Sequence, residues 1–229
     1  MTTVIADPRF PKAEFTEPSP SGFLYLGIEA APLGRGPFPG RSPEREQEIA
    51  RLSELAARLE ERPDVRAITL YRAVLAPPIP GRPGSDLAML IETTSPEDIA
   101  GVREAEPYRR IGPALEMPAR NVRKIGETDA GRRGSTFLFN HFTGPDPQTA
   151  VAVWETLTGW FTGNTGIDNS TALAPLDDGP FAMVNFARLP TGPRRFLLRQ
   201  FTKRSFGSFV RARLREYGMT SMPIFHIPV

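Results

Sequence analysis

The sequence predicts an α+β fold: two tandem βαββαβ units whose antiparallel sheets pack into an α+β barrel. Three observations carry this reading. β-rich apolar runs and stretches of helical periodicity follow one another in the same order in both halves. Two short segments match between the halves, FLYLGIEA from Phe23 with FLFNHFTG from Phe137 and LAML from Leu87 with FAMV from Phe181, as a duplication would leave them. The length of 229 residues, 40% hydrophobic and 24% charged, suits one large globular domain or two small ones. Residues 1–21 read as an extended, proline-rich arm, 22–128 as the first unit and 136–229 as the second.

In the first unit, Gly22 to Ala31 is a β-rich run, and a Gly/Pro loop follows from Pro32 to Arg41. Ser42 is placed to cap a helix, Pro43 fits its first position, and Glu44, Glu46 and Glu48 suit the positive end of its dipole. Ile49, Leu52, Ala56 and Leu59 repeat at helical spacing until Pro63 and Asp64. Val65 to Ala76 and Asp86 to Thr93 are strands around the turn-forming run Pro77 to Ser85. A second helix opens at Ser95, with Pro96, Glu97 and Asp98 in its first turn, and runs to about Arg110. A short strand from Asn121 to Glu127 ends the unit, and 128–135 (TDAGRRGS) is a polar linker.

The second unit repeats the order. Thr136 to Thr143 is a strand, and Gly144 to Pro147 forms a loop and helix start. Ala150, Trp154, Leu157 and Phe161 make one helical stripe, closed by Gly163 to Gly166. Ile167 to Leu176 is a weaker strand, and Phe181 to Leu189 a stronger one beyond the Asp177 to Pro180 turn. A long helix is expected from about Arg194 to Tyr217, with Gly207 as an interruption and Gly218 as its stop. Met222 to Val229 is the last strand.

A βαββαβ unit is the ferredoxin-like arrangement, one antiparallel sheet with two helices on one face. Its other face needs cover. Two units in one chain bury these faces against each other, with the helices outside and room for a central cavity.

The first half resembles the dimeric α+β barrel superfamily, which includes stress-responsive, EthD-like and antibiotic-biosynthesis-monooxygenase proteins. The residues that carry the resemblance are the strand DLAMLIET (Asp86–Thr93), the helix opening SPEDIAGV (Ser95–Val102) and the segment EPYRRI (Glu106–Ile111). It spans roughly residues 22–128. The second half resembles the superfamily by element order and the two short matches, but has Thr191-Gly-Pro-Arg-Arg195 in place of an acidic helix start. The resemblance implies a hydrophobic barrel cavity that holds a reactive small molecule, with the Tyr108 segment as its lid.

Composition excludes several classes. There are no cysteines, hence no disulfides, thiolate metal sites, cysteine nucleophiles or iron–sulfur clusters. No apolar run approaches the roughly 20 residues that span a bilayer, and the N-terminus lacks signal-peptide character, so a cytoplasmic protein with no membrane partner is expected. No GxGxxG, P-loop, HxH or HExxH pattern occurs. The net charge is +2, and nine basic residues against one acid, Glu216, fall between Phe181 and Val229. That segment could face an anionic partner; a solvated helix face is the simpler account. Without a reading motif, nucleic acid is not an expected partner. A homodimer is compatible with the sequence.

The polar residues inside apolar strands are the candidate site. The two histidines, His141 and His226, fall on the first and last strands of the second half, which neighbour each other in a ferredoxin-like sheet. Asn140 and Asn185 stand where the first half carries Leu26 and Ile91, and His141 where it carries Gly27. Such polarity costs stability unless it is paired. Asn140 and His141 must point to opposite faces unless a bulge intervenes. Tyr71, Tyr108 and Trp160 are further candidates for contact with a bound molecule.

The leading expectation is a cofactor-independent tailoring enzyme of cyclase or isomerase type. It would act on a hydrophobic polyketide-like or aromatic metabolite in a barrel cavity, with His141 or His226 as general acid or base and Asn140 or Asn185 bonding a developing oxyanion. The alternatives are a cofactor-free monooxygenase of the same substrate class, a non-catalytic small-molecule-binding protein, and a haem protein with a histidine as axial ligand. No metal site is expected, because Asp168 is the only evident third ligand.

Overall fold

Eight strands close into one antiparallel barrel in the order β1-β3-β2-β8-β5-β7-β6-β4. The computed structural model describes residues 4–31, 33 and 36–229. The first residues of the arm, Met1 to Thr3, and Pro32, Gly34 and Arg35 of the Gly/Pro loop lie outside the described residues. The strands are β1 (Gly22–Ile28), β2 (Val65–Leu75), β3 (Leu87–Thr93), β4 (Leu115–Ile125), β5 (Phe137–Thr143), β6 (Ser170–Pro175), β7 (Met183–Arg188) and β8 (Thr220–Pro228). Each half alone has the ferredoxin-like order, β4-β1-β3-β2 and β8-β5-β7-β6, and the edges join as β2 to β8 and β4 to β6. Closure leaves no unpaired edge in the ring.

Alternation along each strand sends one set of side chains into the barrel and the other under the helices. The interior is filled largely by aromatic residues, with Tyr71 and Phe139 rings 5.0 Å apart and Phe139 stacked on Phe186 at 5.4 Å. On the outside of the first half, Leu24, Leu26 and Met89 meet α1 (Pro43–Glu60), α2 (Ile99–Glu104) and α3 (Glu106–Arg109). On the outside of the second half lie α4 (Pro147–Thr165), α5 (Pro193–Phe201) and α6 (Ala212–Glu216).

Capping starts the long helices where the sequence places them. The Ser42 side chain accepts from Arg45 N at the start of α1, and Asp146 does the same for Thr149 N at α4. Gly218, at φ +63°, ends α6.

Three expectations need correction. The expected second helix is broken, because Pro107 has no N–H to continue the ladder of α2; a 3₁₀ turn (Pro96–Asp98), α2 and α3 replace it. The expected helix from Arg194 to Tyr217 divides into α5, a π-helical turn at Phe206–Arg211, and α6. β4 begins at Leu115 rather than Asn121, despite Pro118. The Pro118 carbonyl accepts from Leu176 N beyond β6, so the missing N–H on the same side removes no bond to β1.

The two matches between the halves are also out of step. Leu26 pairs with Met89, and Asn140 pairs with Asn185. If Phe23 is matched to Phe137, the counterpart of Asn185 is therefore Met89 and not Ile91. A slip of two residues keeps the same face, which is why the sequence pattern conceals it.

The N-terminal arm is a strap over the second half. The Phe10 ring lies 4.7 Å from Phe209 and the Phe15 ring 6.1 Å from Trp154. Ala13 N donates to Thr158 Oγ1 at 3.0 Å, and Thr16 bridges Lys124 of β4. Lys12 and Arg123 both pair with Glu155 of α4, a side chain only 11% exposed. Gly159 permits this approach, since a Cβ there would stand 1.6 Å from the Pro11 carbonyl oxygen.

Gly159→Ala is expected to displace the arm and cost about 1–3 kcal/mol. Urea unfolding measures the loss, and limited proteolysis should show the arm cleaved sooner than in the parent protein. Unchanged stability and protection would contradict the strap.

Candidate functional site

The sheet separates the candidate residues into two environments. β5 runs between β7 and β8 with continuous register and no bulge, so Asn140 and His141 take opposite faces. Phe137, Phe139 and His141 point into the barrel. His226, opposite Phe137, and Met222, opposite His141, share that face.

His141 is fully buried. Its Nδ1–H donates to the Met222 carbonyl at 2.9 Å, which leaves Nε2 to accept from the Tyr25 hydroxyl at 2.7 Å. Burial pulls the imidazole pKa down to about 4, against a smaller upward effect of the bond to Met222. His226 is 1% exposed and its Nδ1 has no partner. Burial, then repulsion from His141, lowers its pKa to about 3. Both rings are neutral at neutral pH. Phe139 stands edge-on to His226 at 5.2 Å, and Phe181 packs 4.9 Å from His141. Tyr71 belongs to the same interior, with its hydroxyl donating to Ala130 O at 2.8 Å.

Asn140 and Asn185 are direct cross-strand partners on the outer face, so their amides stand side by side. They face an apolar pocket between the second-half sheet and α4, α5, the π-helical turn and α6. The pocket encloses about 80 Å³. Phe142, Trp154, Phe196 and Phe206 form much of its wall, and its polar groups are amides and hydroxyls. Among the described residues no Asp, Glu, His, Lys, Arg, Tyr, Cys or Met lines it.

Each amide is held at one end. Asn185 Nδ2 donates to Ser170 Oγ at 3.0 Å, while its Oδ1 is buried without a partner in a residue only 6% exposed. Asn140 Oδ1 accepts from Ser221 Oγ at 3.0 Å, which directs its NH₂ toward the pocket. A bound molecule therefore meets one free acceptor and one free donor on adjacent strands.

The structure thus brings together Asn140 and Asn185 but places His141, His226 and Tyr71 behind the sheet from them. Trp160 supports the pocket from outside its lining, with Nε1–H donating to Ser205 Oγ at 2.9 Å. Tyr108 is in the first half, packed beneath α1 with its hydroxyl unpartnered. Among the described residues, the apolar pocket beside Asn140 and Asn185 is on the helix side of the second half. Ser170, Ser221 and Gln200 were not among the sequence candidates; nothing in their local pattern separates them from ordinary strand and helix polar residues.

Haem is not matched by this pocket. Its iron is held by axial His, Cys, Met or Tyr, and none of these lines the pocket among the described residues. Among the described residues no group of three or more His, Cys, Asp or Glu could hold a metal ion.

No family model matches the sequence. No curated protein matches it either. Among solved structures, the chain is similar to an anthrone oxidase-like protein at 12% identity, with 92% of each chain covered and a TM-score of 0.61. It is similar to a candidate monooxygenase from Fusobacterium nucleatum subsp. nucleatum at 5% identity, with 90% of this chain and 91% of that one covered and a TM-score of 0.52. A candidate chlorite dismutase gives 12% identity, coverage of 91% and 94%, and a TM-score of 0.50. These likenesses show the fold, an antiparallel α+β barrel built from two ferredoxin-like halves in one chain.

Two outcomes are expected. The folded state keeps both histidines neutral below the ordinary value of 6.5. The unfolded chain therefore binds more protons between that value and about 3 to 4. Stability should be flat above this window and fall as pH drops through it, with His226→Leu flattening the fall in a series of urea midpoints. Asn185→Met, which installs the first half's residue, should raise stability by about 1 kcal/mol by removing an orphaned acceptor; a loss of stability would mean that Oδ1 is satisfied in the fold.

Proposed function

We propose that the protein is a cofactor-free oxidase or monooxygenase. Its substrate is an apolar aromatic ketone of anthrone type, bound in the second-half pocket with a hydroxyl near the carbonyl. The single observation that supports this reading is the pocket lining itself: apolar walls, two adjacent amides with a free acceptor and a free donor, and no titratable side chain. Such a wall cannot act as a general acid or base, so the chemistry must come from the substrate's own acidity.

The methylene of such a ketone is acidic because its anion is an aromatic phenolate. Asn140 Nδ2 would donate to the oxygen that gains charge, and Asn185 Oδ1 would accept from the neighbouring hydroxyl. The methylene proton passes to solvent water as the substrate enters. The carbanion passes one electron to dioxygen, the two radicals combine at carbon, and the peroxide anion takes a proton back from solvent to give a hydroperoxide. Loss of water leaves a second carbonyl. The sum is CH₂ + O₂ → C=O + H₂O, with the substrate as reductant. The apolar walls exclude water that would stabilise the phenolate without orienting it.

The names of two structural neighbours, anthrone oxidase-like and monooxygenase, favour oxidation over cyclisation or isomerisation. An imidazole-driven cyclase would need His141 or His226 to reach across the sheet. In the present reading they brace the barrel. The pocket's 80 Å³ is smaller than the roughly 150 Å³ cavity that admits benzene, so binding requires α5 to move outward.

A second reading, sequestration without turnover, draws on the same neutral lining. Oxygen uptake with anthrone as probe separates the two. Uptake with formation of the diketone is expected, falling about 10²-fold or more in Asn140→Leu and staying within about threefold in His226→Gln. Binding without uptake would leave sequestration; a collapse of rate in His226→Gln with its fold intact would restore the acid–base reading.

A further inference from the structure

We propose that the outer face of α5 docks on an anionic membrane surface. Its inner face closes the pocket with Phe196, Leu197 and Gln200. Its outer face carries Leu198, 64% exposed, and Phe201, 56% exposed, three positions apart and therefore on one side of the helix. Arg194 and Arg195 precede this ridge, and Lys203 and Arg204 follow it. None of the four forms an ion pair among the described residues. No acidic residue occurs between Phe181 and Arg215.

The patch extends beyond the helix. The Arg194 guanidinium lies 5.0 Å over the ring of Phe38, itself 50% exposed, and that of Arg211 lies 5.9 Å from Phe201. Exposed apolar side chains ringed by unpaired cations suit an interface of apolar chains beneath phosphate headgroups. Nucleic acid would match the charge, and Phe201 and Phe38 could stack on unpaired bases, but a base-paired duplex offers them none and the projecting Leu198 makes neither stacking nor a hydrogen bond. No helix among the described residues is long and apolar enough to cross a membrane, so the contact is with the surface. The expectation of no membrane partner, drawn from the lack of a spanning segment, does not address this mode.

Docking would set the pocket's movable wall against the phase in which an apolar substrate accumulates. That clause rests on the proposed function; the docking itself does not.

The test is cosedimentation with vesicles of phosphatidylcholine alone and of equal parts phosphatidylcholine and phosphatidylglycerol. The protein should sediment with the anionic vesicles only and be released by salt. The double variant Leu198→Ser, Phe201→Ser should weaken binding roughly tenfold, and Arg194→Gln with Arg195→Gln should weaken it too. The Arg194 and Arg195 side chains are outside the pocket lining, so turnover of dissolved anthrone should not change in the arginine variant. Failure to bind anionic vesicles, or binding indifferent to the Leu198 and Phe201 substitutions, overturns the proposal. So does a dimer that these substitutions dissociate, or duplex DNA bound in preference to vesicles. Vesicle binding without any oxidation of anthrone would keep the docking and remove the proposed function.

Discussion

The constraint on which everything else depends is closure of the sheet. Once β2 joins β8 and β4 joins β6, the middle of each strand is committed to one of two dry compartments, while Arg66, Arg120 and Arg123 on β2 and β4 stay exposed. Within those compartments water does not solvate the sheet, so each polar side chain there must find a partner or remain in want of one. The inward set became an aromatic core in which His141 is satisfied by Met222 and Tyr25. The outward set in the second half became a pocket whose two amides are each satisfied at one end.

This division explains why two halves of common design differ in use. The first half fills the space beneath its helices with Leu26, Met89 and the leucines of α1. The second half sets an Asn–Asn pair at the corresponding place and covers it with α4, α5 and α6, the last two joined through a π-helical turn. Irregular helices of that kind are frequent at functional sites. The unpartnered Asn185 Oδ1 is a local violation of the packing rule, and it lies beside that irregularity. The N-terminal strap, anchored through Glu155 and the close approach at Gly159, holds α4 from outside, so only the α5 side of the pocket is free to open.

Much of the fold was legible because it follows from periodicity and caps. Strand order, Ser42, the stop at Gly218 and the opposite facing of Asn140 and His141 all come from short-range rules. What was missed depends on long-range contact. The start of β4 at Leu115 runs through Pro118, and the side to which the backbone of Pro118 points is decided by β6. The slip that made Ile91, not Met89, the counterpart of Asn185 is invisible to a pattern of period two. The histidines were the most chemically prominent residues in the sequence, and the strand pattern placed them on paired strands. Which face adjoins a cavity depends on how tightly Phe137, Phe139, Tyr71 and Phe186 fill the barrel, and the sequence of one strand does not record that.

The central claim is that a ligand occupies the helix side of the second-half sheet. A crystal structure of the protein with anthrone bound tests it most directly. The account predicts the ketone between α5 and β5, its oxygen within hydrogen-bonding distance of Asn140 and Asn185. A ligand seated inside the barrel against His141 or His226 would contradict it.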